Sequence, residues 1–329
     1  ETYPESVSRN REMHIKRFPS LETEIRENYE YVYDKKVLPS LRSMQFAGKA
    51  IESNNTRMFN CSFAPINDYH AFSEAFFLLL SGSGVGFSVQ RHHVRELPEI
   101  RKPKKPRKYM VNDSIEGWAD SVKILMKSYF TGSYIPIYDF SQIRPRGSPL
   151  VTSGGRAPGP DPLRVCLEKI QESLNMKADG DKLTPIECHD ILTIIADAVL
   201  SGGIRRASLI SLFSIDDEDM LNCKSYLDVE LKSYIGYNSQ FKSHEIEIAH
   251  HHLVKTIFLS EPEYETFIKD GKIAWYYLYP ERARSNNSMV VHRNLITKSV
   301  FDEKWDVIKN SGSGEPAFWL TNDIEHGCN

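Results

Sequence analysis

Twice in this chain an apolar helical run stops at a cluster of glycines, and the next residues turn into a short apolar strand. The first unit runs from Asp68 to about Leu80, halts at Ser81-Gly82-Ser83-Gly84-Val85-Gly86 and continues as a β-like segment, Phe87 to Gln90. The second opens at Thr184-Pro185-Ile186-Glu187, where Thr caps, Pro takes the first helical position and Glu closes the box. It runs to Leu200, ends at Ser201-Gly202-Gly203 and re-emerges through Ile204-Arg205-Arg206 as a strand reaching Phe213. Helices that keep alternating with short apolar strands restrict the chain to the α/β class. With 329 residues there is room for one large domain or two ordinary ones.

Other elements follow from local signals. Ser20 to Leu41 reads as a helix ending near Pro39, within a helical segment spanning residues 1–40. Asp113-Ser114-Ile115-Glu116 has capping-box spacing and opens a helix to about Phe130. Asp161 to Met176 is helical, and the acidic cluster Asp216 to Asp219 opens a short helix in the usual way for acids at an N-terminus. Gly314 to Leu320 is strand-like, and Pro280 to Ser288 is a polar loop before a short strand. Residues 225–270 have weak periodicity and look like an insertion. Ile143 to Pro162 is a proline- and glycine-rich loop between two helices, ordered by itself or by a ligand.

Composition excludes several classes. Net charge is -3, so no global basic field points to nucleic acid. Arg101 to Lys108 is basic, but Pro103 and Pro106 forbid a regular helix there, and a solvated loop is the default over a phosphate contact. The five cysteines (61, 166, 188, 223, 328) form no CxxC pair, which argues for a reducing compartment and against a zinc site or disulfide scaffold. No metal site is expected; the adjacent His250-His251-His252 cannot all face one ion and read as surface. No apolar run reaches the roughly 18 residues of a membrane span, and the polar start lacks a signal-peptide core. The expectation is a soluble, cytoplasmic protein.

Chemistry is sought at Asn55-Thr56-Arg57-Met58-Phe59-Asn60-Cys61-Ser62-Phe63, a strand-like run that delivers one cysteine before a polar turn. A lone strand cysteine is more often a small buried hydrophobe. The glycine turn at 81–86 lacks the Gly-Lys-Ser/Thr of a P-loop and enters a strand rather than a helix. It serves either close backbone approach to something bound or a helix C-cap with a tight turn.

Taken together and in order, a set of motifs resembles the catalytic subunit of ribonucleotide reductase. The carriers are Arg42-Ser43-Met44-Gln45-Phe46-Ala47-Gly48, Arg57-Met58-Phe59-Asn60-Cys61-Ser62 and Ser83-Gly84-Val85-Gly86-Phe87. They continue with Asp113 to Asp120, Gly154 to Pro160, Gly202 to Ser208, Ser285-Asn286-Asn287-Ser288 and Gly327-Cys328-Asn329. The Asp-Ser-Ile-Glu-Gly-Trp-Ala run and the Arg-Arg loop look most like the adenosylcobalamin-dependent class II branch.

The resemblance implies a ten-stranded α/β barrel of two five-stranded halves with radical chemistry inside. A cysteine thiyl removes the 3′ hydrogen of a ribonucleotide, a glutamate acts on the 3′ hydroxyl, and a cysteine pair supplies the electrons that replace the 2′ hydroxyl. Cys61 matches one member of that pair; Ser43, Asn60 and Gly84 match positions lining the substrate. Two loops, Ser153 to Pro160 with Gly155 and Arg156, and Gly202 to Ser208 with Gly203, Arg205 and Arg206, match the loops through which a bound deoxynucleoside triphosphate sets specificity. Asp68 matches a contact to the effector sugar. A salt bridge to Asp216–Asp219 is the competing use of Arg205 and Arg206. Asn329 matches the first residue of the Asn-Pro-Cys-x-Glu motif, so the expectation is a first barrel half, inactive without its C-terminal half because of a split gene, an intein or a truncation. The implied partners are a ribonucleoside di- or triphosphate, an external dithiol reductant, adenosylcobalamin and a second copy in a homodimer, with neither membrane nor nucleic acid. The alternatives are a class I subunit relying on a separate radical-generating protein, and a non-catalytic nucleotide-binding regulatory module.

Overall fold

The structure, a computed structural model, describes residues 1–150, 155–200, 208–251 and 253–324. In chain order it opens with α1 (Tyr3–Arg17), α2 (Glu22–Tyr33), α3 (Leu41–Phe46) and α4 (Lys49–Ser53), then β1 (Cys61–Pro65), α5 (His70–Ser81), β2 (Gly84–Ser88) and α6 (Arg91–Val94). Next come β3 (Lys105–Met110), α7 (Ile115–Thr131), β4 (Tyr134–Asp139), α8 (Asp161–Asn175), α9 (Pro185–Leu200), β5 (Leu209–Ser214) and α10 (Glu218–Asn222). The remainder is β6 (Tyr226–Asp228), β7 (Glu230–Asn238), β8 (Ser243–His250), β9 (Leu253–Ser260), α11 (Glu261–Asp270), β10 (Lys272–Ala274), β11 (Ser285–His292), α12 (Lys298–Asn310) and β12 (Ala317–Thr321).

The organising layer is a five-stranded sheet in the order β1-β2-β5-β11-β12, parallel at every pairing. Neighbours in register share a face. Val85, Leu209, Phe213 and Met289 point to one side, where they join Phe72 and Phe76 of α5, Leu125 and Met126 of α7 and Ile195 of α9 in the main core. On the other side Cys61, Phe63, Ile210, Asn286, Ala317 and Trp319 are exposed, whereas Ser88, Leu212, Ser288, Val290 and Thr321 are buried. Parallel sheets are normally covered on both faces, so the exposed part of this side, where Cys61 begins β1, is the surface on which function is sought.

Local signals set several boundaries as expected. Ser114 caps α7 by accepting from the Gly117 amide at 3.0 Å, while Asp113 instead pairs with Arg144. Thr184 and Glu187 bond reciprocally at the start of α9. Gly82 ends α5 in the left-handed region at φ 93°, so the glycine turn is a helix cap, and Gly84 and Gly86 beyond it already belong to the sheet.

Other expectations are corrected. The helix expected over Ser20 to Leu41 ends at Tyr33, because Lys35 turns left-handed (φ 59°) and the amides of Lys36 and Val37 fold back onto the Tyr31 carbonyl. A further helix, α1, precedes it, and Val7, Tyr29, Val32 and Met44 pack the two against α3. Asn55–Met58 is a 3-10 turn, capped by the Asn54 side chain, and only Cys61 begins the strand. Of the basic stretch, residues 101–104 are loop as expected, but Lys105–Lys108 enter β3: it pairs with β4 alone among the described residues, and a sheet edge tolerates Pro106 and solvated Lys and Arg side chains. Residues 225–270 contain an antiparallel β7-β8-β9 sheet with its own core of Ile246, Ile248, Ile257, Leu259 and Phe267. Ser285 to Ser288, expected in a polar loop, begin β11. The described helices include none long and apolar enough to cross a membrane.

Candidate active site

Cys61 is the first residue of β1 and stands opposite Gly84, the first residue of β2. Three bonds lock these strand starts together. The Gly84 amide donates to the Asn60 carbonyl at 2.8 Å, the Ser83 hydroxyl donates to the Phe59 carbonyl at 2.8 Å, and the Ser62 hydroxyl donates to the Gly84 carbonyl at 3.1 Å. Cys61 is a free, exposed thiol, and Asn60 beside it is exposed too. A Cβ on Gly84 would sit 3.6 Å from the Asn60 carbonyl and from Ser208, and one on Gly86 would approach the Phe63 ring at 3.2 Å. Neither glycine carries a side chain on the thiol's face; the Phe63 ring lies against Gly86, and at Gly84 the backbone is bare beside the thiol, as close approach of a ligand requires. The other described cysteines are buried, and burial pushes the thiols of Cys166 and Cys188 up, away from reactive thiolate.

Asn60, Cys61 and Gly84 are thus brought together. Ser43 is not on this floor: it is 3% exposed, and its hydroxyl accepts from Asn10 Nδ2 at 2.9 Å, inside the joint of α1, α2 and α3. Asp68 lies past the opposite end of β1, where its carboxylate takes the His70 amide at 2.7 Å and opens α5. Gly155 is left-handed (φ 80°) and its carbonyl accepts from the Leu150 amide; Arg156 is exposed and donates to the Gly147 carbonyl at 3.0 Å. Gly203, Arg205, Arg206, Cys328 and Asn329 lie outside the described residues. The acidic cluster has other partners: Arg91 meets Asp216 at 2.6 Å, Asp217 caps α10, and Lys304 meets Glu218 at 3.4 Å. Of the three histidines, His250 is half-buried and bonds the Tyr279 hydroxyl, His251 is exposed, and position 252 lies outside the described residues.

A polar layer beneath the sheet was not anticipated. Asp190 on α9 takes two bonds from Arg282, at 2.8 and 2.7 Å, and lies 3.1 Å from His189. Arg282 also donates to the Cys223 carbonyl at 2.8 Å and lies over the Tyr279 ring, 3.8 Å from its centroid. His189 Nε2 is 3.1 Å from Asn287 Oδ1, and Asn287 Nδ2 is 3.1 Å from Cys223 Sγ. Burial pushes the Cys223 thiol up to about 11. Burial alone would raise the Asp190 carboxyl, but Arg282 and His189 outweigh it and hold it below its ordinary value. This layer pins the start of β11, whose Asn286 is exposed on the Cys61 side of the sheet. The only sequence signal was Cys188-His189-Asp190 inside an otherwise apolar helix.

The fold is that of a B12-dependent reductase. The solved structure described as "crystal structure of B-12 dependent (class II) ribonucleotide reductase" superposes with a TM-score of 0.69, covering 97% of this chain and 46% of that one at 22% identity. Among curated proteins the chain is similar to the probable adenosylcobalamin-dependent ribonucleoside-triphosphate reductase of Dictyostelium discoideum, 28% identical over 223 residues (61% of this chain, 29% of that protein). It is likewise similar to the adenosylcobalamin-dependent ribonucleoside-triphosphate reductases of Lactobacillus leichmannii, 27% over 262 residues (62% and 35%), and Levilactobacillus brevis, 25% over 301 residues (69% and 40%). The chain thus spans 29% to 40% of the length of these relatives. No protein-family model matches it.

Proposed function

We propose that this chain is the N-terminal part of an adenosylcobalamin-dependent ribonucleotide reductase acting on a ribonucleoside triphosphate, with Cys61 as one of its two reducing thiols. The observation that carries the reading is the pairing of the exposed Cys61 with Gly84 at the start of a parallel five-stranded sheet whose Cys61 side is partly exposed. In this reading the sheet is one half of a ten-stranded barrel, and residues 1–40 are an N-terminal helical segment. Residues 225–270 are an insertion with its own small sheet, and a C-terminal half closes the open face.

The chemistry assigned to this chain follows from the site. The sugar of the substrate lies on the bare backbone at Gly84 and Gly86, with Cys61 at its 2′ side and Asn60 beside it. The 2′ hydroxyl leaves as water while Cys61 and a second thiol, supplied by the remainder of the protein, give up two hydrogens and close a disulfide. One C–O bond and two S–H bonds break; a C–H bond, an S–S bond and a water form, so atoms and electrons balance. An external dithiol then reopens the disulfide by exchange. Adenosylcobalamin supplies the radical that starts the reaction. The loop carrying Gly155 and Arg156, with Gly203, Arg205 and Arg206, is assigned to the deoxynucleotide effector, with Asp68 at its sugar.

The test is turnover by the full-length protein with adenosylcobalamin, a ribonucleoside triphosphate and a dithiol. Deoxynucleotide should form without any second radical-generating protein, and Cys61→Ser should reduce turnover with the dithiol to near background while nucleotide still binds. Dependence on a separate metalloprotein, or full dithiol-driven turnover by Cys61→Ser, would overturn the reading.

A further inference from the structure

Arg57 is a buried cation for which the proposed chemistry supplies no use. It lies four residues before Cys61, in the 3-10 turn Asn55–Met58, and is 8% exposed. Buried guanidinium groups are ordinarily paired with carboxylates, as Arg282 is with Asp190. Arg57 has no ion-pair partner among the described residues, and its Nε is sealed from solvent without an acceptor. Its recorded side-chain neighbour is the Phe46 ring, 6.0 Å away.

A second arginine shares the condition. Arg42 of α3 is half-buried, donates to the Gly82 carbonyl at 2.6 Å and likewise has no carboxylate partner among the described residues. A Cβ on Gly82 would come within 3.1 Å of its guanidinium. The two arginines belong to segments tied to one turn: Asn54 bonds the Ser81 hydroxyl at 3.3 Å, Arg42 holds Gly82, Ser83 bonds Phe59, and Gly84 bonds Asn60. Neither aspartate nor glutamate occurs in residues 41–51, 54–67 or 75–90, which build this corner. Arg57 and Arg42, neither with a carboxylate partner among the described residues, thus belong to segments that are tied together where Cys61 and Gly84 begin their strands.

We infer that Arg57, assisted by Arg42, is the anchor for an anion, the phosphate chain of the nucleotide whose sugar lies against Cys61. This rests on the proposed function and adds a residue to it. A planar guanidinium fork suits phosphate oxygens, and a bound phosphate would supply the acceptor that Arg57 Nε lacks. Arg57 acts by binding and positioning the substrate and takes no part in bond breaking.

The experiment is equilibrium binding to the full-length protein by calorimetry, using a ribonucleoside triphosphate, the corresponding nucleoside and inorganic tripolyphosphate. Arg57→Gln should weaken triphosphate binding about 30-fold, the loss of a charge-assisted bidentate contact, and leave the nucleoside unchanged. Tripolyphosphate should compete with the nucleotide on the wild type and fail to compete on the variant. Arg57→Lys, which keeps the charge without the fork, should recover part of the affinity. Arg42→Gln, at a half-buried position that folding tolerates, should weaken the triphosphate and spare the nucleoside. Equal losses for nucleotide and nucleoside, or undiminished tripolyphosphate competition, would overturn the inference and make Arg57 a structural cation or the partner of a carboxylate elsewhere in the protein. The two readings fail separately. Arg57-dependent phosphate binding without deoxynucleotide formation sinks the reductase reading alone, whereas turnover indifferent to Arg57 sinks the anchor alone.

Discussion

Replacing Asp190 by Asn keeps the shape of the side chain and removes the charge that compensates Arg282. Arg282 would be left with the Cys223 carbonyl, the Tyr279 ring and one neutral amide oxygen, its side chain 7% exposed. Stranding one member of a buried pair costs roughly 3–5 kcal/mol. Because Asp190 keeps 22% of its side-chain surface in water, the expected loss lies at the low end, about 3 kcal/mol, or a factor of roughly 100 in the folding equilibrium. The assay is urea unfolding of the full-length protein for the wild type, Asp190→Asn, Arg282→Met and the double variant, compared at constant slope. The double variant should be more stable than the sum of the single losses allows, by about 1.5 kcal/mol or more, since neither charge is then left alone. Losses that add to within about 0.5 kcal/mol would show that the two residues do not act as a pair. The pH dependence follows in sign. The Asp190 carboxyl is depressed in the folded state, so its contribution is present above the unfolded value, about 3.9, and is lost as pH falls through the folded value. The gap between wild type and Asp190→Asn should therefore narrow below about pH 4.

Two glycines should respond in opposite ways. At Gly84 an added Cβ meets its neighbours at an ordinary 3.6 Å, so Gly84→Ala should change stability by less than about 1 kcal/mol. It should nevertheless weaken nucleotide binding about tenfold by raising the floor beside Cys61; unchanged affinity would remove Gly84 from the site. At Gly117 the Cβ would fall 2.4 Å from the Asn112 carbonyl, so Gly117→Ala must push the backbone apart and should cost about 2 kcal/mol or more. An unaltered melting temperature would refute that account.

Much of the site was legible in the sequence because its signals are short-range. The box at Thr184 and Glu187 and the glycine stop at Gly82 act over a few residues and hold in the structure, and α7 starts where the Asp113–Glu116 spacing put it, although Ser114 and not Asp113 supplies the cap. The motif around Cys61 and the glycine run were likewise visible as separate pieces. What failed was whatever depends on the neighbours a segment acquires. Basic, proline-broken residues became strand β3 because one partner on one edge was enough to hold them, and the weakly periodic 225–270 tract became a sheet once its strands could pair. Ser43, which matches a substrate position in the resemblance, lies in the helical joint, bonded to Asn10, a placement that depends on the packing of α1 against α3.

By itself, then, the sequence determined the class of fold and most of the places where helices begin, and it singled out Cys61 and the glycine run as candidates. Only the tertiary structure decided that Cys61 faces Gly84 in register, that the sheet leaves Cys61 exposed on one side, and that Arg282 reaches Asp190 across 92 positions. Caps and turns are chosen by energies among adjacent residues, whereas register and ion pairing are chosen only when distant segments are packed together. The same packing buried Arg57 without an acidic partner among the described residues, and that is the observation behind the proposed phosphate anchor.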